Sequence, residues 1–207
     1  ENEIFVNLYM GNETHVNFDE HKVYITQKTN YPWDGRINIG IKPSKPSFFS
    51  LRMRIPGWCK SFKVSVNGET GNDFHIENGY VVISRKWSSG DSVELALDMP
   101  VELVAADPRV IENSGKHVVQ RGPLVYCIEQ ADNKSANWDN KITIDQKATF
   151  SLTSGKGKLQ GMTLLSTKSQ QQNGLTFIPY FAWDNREPGK MKVWIDYPES
   201  DSLYKYQ

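Results

Sequence analysis

Hydrophobic and polar positions alternate along most of this chain. Leu51, Met53 and Ile55, for example, alternate with two arginines. A period of two residues predicts a β-strand with one dry face and one wet face, because successive side chains of a strand point to opposite sides. Pro56-Gly57 ends this strand, since proline has no N–H to give to a sheet. The pattern therefore predicts a strand followed by a turn.

The same pattern returns at regular intervals along the chain. Asn67-Gly68 ends the next strand with a dipeptide that favours a tight turn at positive φ. Trp58, between the two strands, is large enough to cover one end of a core. No stretch combines a helical period with helix caps. We predict short strands over residues 4–9, 15–18, 23–26, 37–41, 48–55, 62–66, 80–87, 93–97, 118–129, 142–144, 149–152, 162–165, 175–180 and 191–195.

Short strands separated by turn residues predict an all-β fold made of two small antiparallel β-sandwich domains. The composition shifts after Val104, which places the domain boundary near residue 105. We expect a first sandwich over residues 1–105, a second over 106–189, and a terminal strand with a tail over 190–207. The segment 190–197 is a candidate to return and complete the first sandwich.

The composition narrows the class of function. The chain has 207 residues, and its 24 basic side chains balance 24 acidic ones. It therefore lacks the excess positive charge that a nucleic acid or an anionic membrane surface requires of its partner. No apolar run approaches the ~20 residues of a membrane span. The first residues lack the basic and apolar regions of a signal peptide. The chain also begins without methionine and enters a strand pattern almost at once, so we expect it to be a piece of a longer protein.

The two cysteines and four histidines predict no metal site. Two cysteines are too few for a disulfide framework or a zinc site, and the histidines lack metal-ligand spacing. We interpret both cysteines as small packing residues, with a single disulfide bridge as the alternative. We accordingly expect no cofactor in this chain. The residues concerned are Cys59, Cys127, His15, His21, His75 and His117.

Five short sequence motifs, in the order in which they occur along the chain, resemble those of one protein family. They are residues 31–35 (YPWDG), 51–58 (LRMRIPGW), 79–91 (from GY through RKW to GD), 121–126 (RGPLVY) and 179–186 (PYFAWDNR). Together they resemble the C-terminal half of glycoside hydrolase family 127, the β-L-arabinofuranosidase family. The resemblance covers nearly the whole chain.

The resemblance implies a large N-terminal (α/α)6 barrel that carries catalysis, followed by β-sandwich domains. It also implies a cysteine nucleophile held near zinc and a glutamate acid/base, all of them in the barrel. Neither Cys59 nor Cys127 sits in a matching motif, and the chain has no adjacent cysteine pair. We therefore carry over no catalytic or metal residue, and any zinc belongs to the missing catalytic domain.

Two loops carry residues suited to contact with a carbohydrate or with a neighbouring domain. In each loop an aromatic ring can stack on a sugar face while a carboxylate or guanidinium bonds to hydroxyl groups. Aromatic and arginine side chains also anchor contacts between domains, and the tryptophans can instead plug the ends of the sandwiches. Glycoside hydrolysis needs two facing carboxylates roughly 5 to 9.5 Å apart, and the sequence pairs none. The candidate residues are Tyr31, Trp33, Asp34, Trp183, Asn185 and Arg186.

Three functions remain open. The first is a non-catalytic accessory region of a glycosidase, inactive alone and supporting its own catalytic barrel. The second is a stand-alone carbohydrate-binding module, which predicts an exposed line of aromatic residues and affinity for a glycan, such as one from plants. The third is a structural or adhesion β-sandwich, which predicts an exposed apolar patch for a protein partner. The resemblance to this family favours a periplasmic or secreted location for the protein.

Overall fold

The computed structural model describes residues 2–18, 21–71, 73–139, 142–144, 148–168 and 174–197. The chain divides into two compact units, Glu1–Met99 and Pro100–Gln207. Both are built from β-strands, which confirms the predicted all-β class. In the part of the chain that is described, no helix has the length and apolar character needed to cross a membrane.

The first unit contains two sheets. Their strands are β1 (Glu3–Val6), β2 (Asn12–Phe18), β3 (His21–Thr29), β4 (Arg36–Pro43), β5 (Ser47–Arg54), β6 (Phe62–Val66), β7 (His75–Glu77), β8 (Tyr80–Trp87) and β9 (Asp91–Leu97). One sheet has the order β1-β5-β8-β7 and the other has the order β2-β3-β4-β9-β6. Neighbouring strands are antiparallel, apart from β1 and β5, which run parallel.

One hydrophobic core lies between these two sheets, and the alternation in the sequence explains it. Ile37 and Ile39 of β4 are fully buried together with Leu51 of β5. The indole of Trp87 is also fully buried and donates its Nε1–H to the carbonyl oxygen of Phe49 at 3.0 Å. Because these side chains leave water while their strand neighbours remain outside, the period of two residues is the main determinant of this unit.

In the described residues, the second unit is an antiparallel arrangement of eight strands. They are β10 (Val101–Ala105), β11 (Lys116–Arg121), β12 (Leu124–Glu129), β13 (Thr149–Ser154), β14 (Thr163–Lys168), β15 (Thr176–Pro179), β16 (Met191–Lys192) and β17 (Ile195–Asp196). The main path runs β10-β11-β12-β15-β14-β13, with β16 beside β12 and β17 beside β11. Short 3-10 helices occupy Ile111–Asn113, Gly157–Leu159 and Tyr180–Ala182.

The observed boundaries differ from the expected ones in two respects. The units divide between Met99 and Pro100 rather than near residue 105, because β10 pairs with β11 of the second unit. The segment 190–197 does not complete the first unit, since β16 and β17 pair with β12 and β11. The rest of the expected tail, residues 198–207, lies outside the described residues.

Two local predictions are confirmed. Asn67 and Gly68 have φ values of 53° and 83°, as the tight turn after β6 requires. Cys59 and Cys127 are free, so the alternative of a disulfide bridge is wrong. Cys127 is fully buried and Cys59 packs at the edge of the first core, as expected of small packing residues.

Candidate functional site

The loop between β3 and β4 is held by its own hydrogen bonds. The hydroxyl group of Thr29 accepts the N–H of Tyr31 at 3.0 Å and donates to the carbonyl oxygen of Arg36 at 2.6 Å. The carboxylate of Asp34 accepts the N–H of Arg36 at 3.0 Å, a local bond typical of aspartate in turns. Asp34 therefore helps to fix the loop that carries it, whatever else it contacts.

Tyr31, a sequence candidate, belongs to an aromatic group at one end of the first core. Its ring lies parallel to that of Trp58 with centroids 6.5 Å apart, and it meets the ring of Tyr9 edge-on at 5.9 Å. Burial raises the pKa of Tyr31 and, more strongly, that of Tyr9. Trp58 packs against the core, as predicted from the sequence. Trp33 in the same loop is half-buried.

A groove of about 670 Å³ lies beside this loop on the outward side of β3, β4 and β9. Strand register places Lys28 opposite Asn38, and Arg36 opposite Ala96. Sequence reasoning had found only one of the lining residues, because alternation shows which side chains face outward but not which strands are neighbours. The groove is lined by Lys28, Thr29, Asn30, Asp34, Gly35, Arg36, Asn38, Ala96 and Leu97.

The second candidate loop begins with three outward-facing aromatic residues. Tyr180, Phe181 and Trp183, which we call the aromatic ridge, are 43%, 61% and 42% exposed. They follow β15 in a 3-10 turn that buries Ala182, so the three rings face away from the core. Of these three residues, Trp183 alone was a candidate from the sequence. The other two could have been found from the run of neighbouring aromatic residues, because such neighbours cannot all point to the same side of a strand.

A partly buried group of charges, which we call the charge cluster, ties this loop to the end of β12. The Arg186 guanidinium forks onto Asp132 with N–O distances of 2.5 and 2.6 Å and also donates to Glu129. The second carboxylate oxygen of Glu129 accepts the N–H of Asp184 at 2.7 Å, and Asp184 adopts a φ of 57°. The hydrogen bonds that Arg186 donates to Asp132 and Glu129 raise the pKa of its guanidinium despite its partial burial.

The charge cluster changes the role of two sequence candidates. Arg186 directs its guanidinium inward, and its side chain is 19% exposed. The backbone carbonyl of Asn185 accepts Lys158 Nζ at 2.6 Å, whereas its side-chain oxygen is buried without a hydrogen-bond partner among the described residues. Of the three candidates in this loop, Trp183 is the one that presents its side chain to the outside.

The described residues do not assemble an obvious nucleophile or metal centre. Burial, with the neighbouring charge of Glu129, raises the pKa of Cys127 to about 12, so its thiol stays protonated at neutral pH. Glu129 and Asp132 lie together, but Arg186 binds both. Over the described ranges no three or more histidine, cysteine, aspartate or glutamate side chains are grouped to hold a metal ion.

Family models match both units. Residues 3–99 match the middle domain of the β-L-arabinofuranosidases of glycoside hydrolase family 127. Residues 101–196 match the C-terminal domain of the same family. The chain therefore belongs to glycoside hydrolase family 127, as its sequence motifs indicated.

Individual relatives are consistent with this assignment. A non-reducing end β-L-arabinofuranosidase from Bifidobacterium longum subsp. longum is 31% identical, over 82% of this chain and 30% of that enzyme. The crystal structure of a GH127 β-L-arabinofuranosidase from Geobacillus stearothermophilus T6 matches with a TM-score of 0.85 and 34% identity, over 95% of this chain and 34% of that one. A GH127 β-arabinofuranosidase matches with a TM-score of 0.84 and 32% identity, over 95% and 35%. This chain spans about a third of these relatives.

Proposed function

We propose that this chain is the non-catalytic accessory region of a longer glycoside hydrolase similar to the β-L-arabinofuranosidases, and that it supports the catalytic domain of that enzyme. The chain corresponds to only 30–35% of the length of its relatives. Its own carboxylate pair, Glu129 and Asp132, is bound to Arg186 and unsuited to protonating a leaving group. The activity is therefore expected from the remainder of the longer enzyme.

The aromatic ridge is the observation that carries this proposal. Three large rings within four residues of sequence are 42–61% exposed, which is unfavourable in water unless a partner covers them. Their backbone is already fixed by the charge cluster, so docking costs little conformational entropy. Tyrosine and tryptophan dominate the energetics of protein interfaces. We assign the catalytic domain of the longer hydrolase as the occupant, since the relatives carry about two thirds of their length beyond the region matched here.

An activity assay with p-nitrophenyl β-L-arabinofuranoside tests the accessory role. The chain alone is expected to release no nitrophenol, whereas the complete gene product is expected to be active. The chain is also expected to restore activity when it is added to the remainder of that product. Turnover by the chain alone would contradict the proposal, as would full activity and stability of the remainder without it.

A double substitution in the complete gene product tests the docking surface. Phe181→Ser with Trp183→Ser is expected to lower its melting temperature and its activity, because polar side chains replace the rings buried by docking. Phe48→Ser is the matched control, since Phe48 is 64% exposed and belongs to β5 of the first unit rather than to the loop that carries the aromatic ridge. Equal behaviour of the double variant and this control would show that the ridge is not the docking surface.

A further inference from the structure

We propose that the groove beside the β3–β4 loop binds a neutral oligosaccharide. This site belongs to the first unit and is independent of the accessory role proposed above. Its volume of about 670 Å³ lies within the range of small-molecule sites.

The floor of the groove is fixed by a close approach of two strands. The N–H of Leu97 donates to the carbonyl oxygen of Gly35 at 2.8 Å. A Cβ atom on Gly35 would lie 2.0 Å from the carbonyl oxygen of Leu97, so a side chain cannot be accommodated there without moving the backbone. The side chain of Leu97 is buried in the core, so the floor consists of the backbone of these two residues and the methyl group of Ala96. That methyl group offers an apolar contact to the C–H face of a sugar ring.

The sides of the groove offer unused hydrogen-bonding groups. The side chains of Asn30, Asn38 and Lys28 are exposed, and they make no hydrogen bond or ion pair with any residue that the structure describes. A carboxamide presents both donors and an acceptor, which matches a hydroxyl group that donates and accepts at once. Two carboxamides beside the methyl group of Ala96 therefore suit a ligand that carries many hydroxyl groups.

The charges around the groove favour a neutral ligand. The positive charges of Lys28 and Arg36 are balanced by Asp34 and by Glu94, whose carboxylate lies 3.8 Å from the Arg36 guanidinium. An anionic sugar would call for uncompensated basic side chains or a bidentate arginine. Since the arginine has an acidic neighbour, the arrangement fits the hydroxyl groups of a neutral chain better than a carboxylate.

Nuclear magnetic resonance titration of the whole chain tests this site. The probes are neutral trisaccharides of arabinose, xylose and glucose, with trigalacturonate as the anionic comparison. At least one neutral trisaccharide is expected to shift the side-chain amide signals of Asn30 and Asn38 and the backbone signals of Gly35 and Ala96. Asn38→Ala is expected to weaken that binding about fivefold, as expected for the loss of one hydrogen bond.

Lys42→Ala provides the matched control, because Lys42 lies on the same face of β4 as Asn38 but does not line the groove. It is expected to leave the affinity unchanged, and thermal melting checks that both variants are folded. The proposal is overturned if no neutral trisaccharide shifts these signals at millimolar concentration. Shifts confined to the aromatic ridge, or produced by trigalacturonate alone, overturn it as well.

Discussion

Replacing Arg186 with methionine removes the positive centre of the charge cluster. Two carboxylates, on side chains that are 9% and 18% exposed, then lie close together without a counter-charge. Glu129 still accepts the N–H of Asp184, so it cannot turn freely to solvent. The loop that carries the aromatic ridge therefore loses its tie to β12, and the second unit is left with two poorly solvated negative charges.

The expected loss can be estimated from the burial of the three groups. Removing one partner of a buried ion pair costs about 3 to 5 kcal/mol. Arg186 retains 19% exposure, so we take the lower end, about 3 kcal/mol. For a unit of roughly 100 residues, this corresponds to a fall in melting temperature of about 12 to 24 °C.

Urea denaturation gives the change in the free energy of unfolding, and hydrogen exchange shows where the change occurs. The largest increase in the rate of amide hydrogen exchange is expected at residues 124–133 and 180–186. A triple variant, Arg186→Met with Glu129→Gln and Asp132→Asn, is expected to be more stable than Arg186→Met alone, because no buried charge remains unpaired. Arg109→Ala is the control, since Arg109 pairs with Asp107 in solvent and its side chain is 90% exposed.

Three results would refute this reasoning. One is an Arg186→Met variant as stable as the Arg109→Ala control, which would mean that the cluster is solvated. Another is a triple variant less stable than the single one, because the uncompensated carboxylates would then not be the source of the loss. The third is faster exchange confined to the first unit.

Three further substitutions or reactions test other features. Gly35→Ala is expected to destabilise the first unit by about 2 kcal/mol in thermal melts, whereas Gly57→Ala, with no heavy atom within 4 Å of its new Cβ, should have little effect. A thiol reagent is expected to label Cys59 slowly and spare Cys127 until urea unfolds the chain; equal native rates would contradict the assigned burial. Trp87→Phe is expected to cost about 2 kcal/mol in urea, because it removes the buried hydrogen bond from the indole to the carbonyl oxygen of Phe49 and part of the buried ring; an unchanged midpoint would argue against that bond.

The alternating pattern predicted most of the first unit because each strand there has one buried face. Ile37 and Ile39 are buried while Arg36 and Asn38 are exposed, so the period of two residues is unambiguous. The pattern was less informative at residues 118–129, a long apolar stretch that Arg121-Gly122-Pro123 interrupts. Here the structure forms a hairpin of β11 and β12, with Gly122 in the turn at a φ of 56°.

The candidate sites were harder to predict because their residues meet through tertiary structure. Arg186 lies 54 and 57 residues from its two carboxylate partners along the chain. No local spacing distinguishes such a buried arginine from one that faces solvent. Similarly, Lys28 and Asn38 form one wall only because β3 and β4 are paired in one particular register.

The parallel pairing of β1 with β5 makes the first strand a separable part of its unit. β1 lies at the edge of its sheet, where Glu3 pairs with Ser50 of β5 and Val6 pairs with Met53 of β5. It is held by that ladder and by apolar side chains of its own that enter the core. A cut in the connection after β1 would therefore leave the strand bound without a covalent link. In physical terms, β1 is a peptide ligand of the remaining sheet, one that a second copy of the chain is able to supply in exchange.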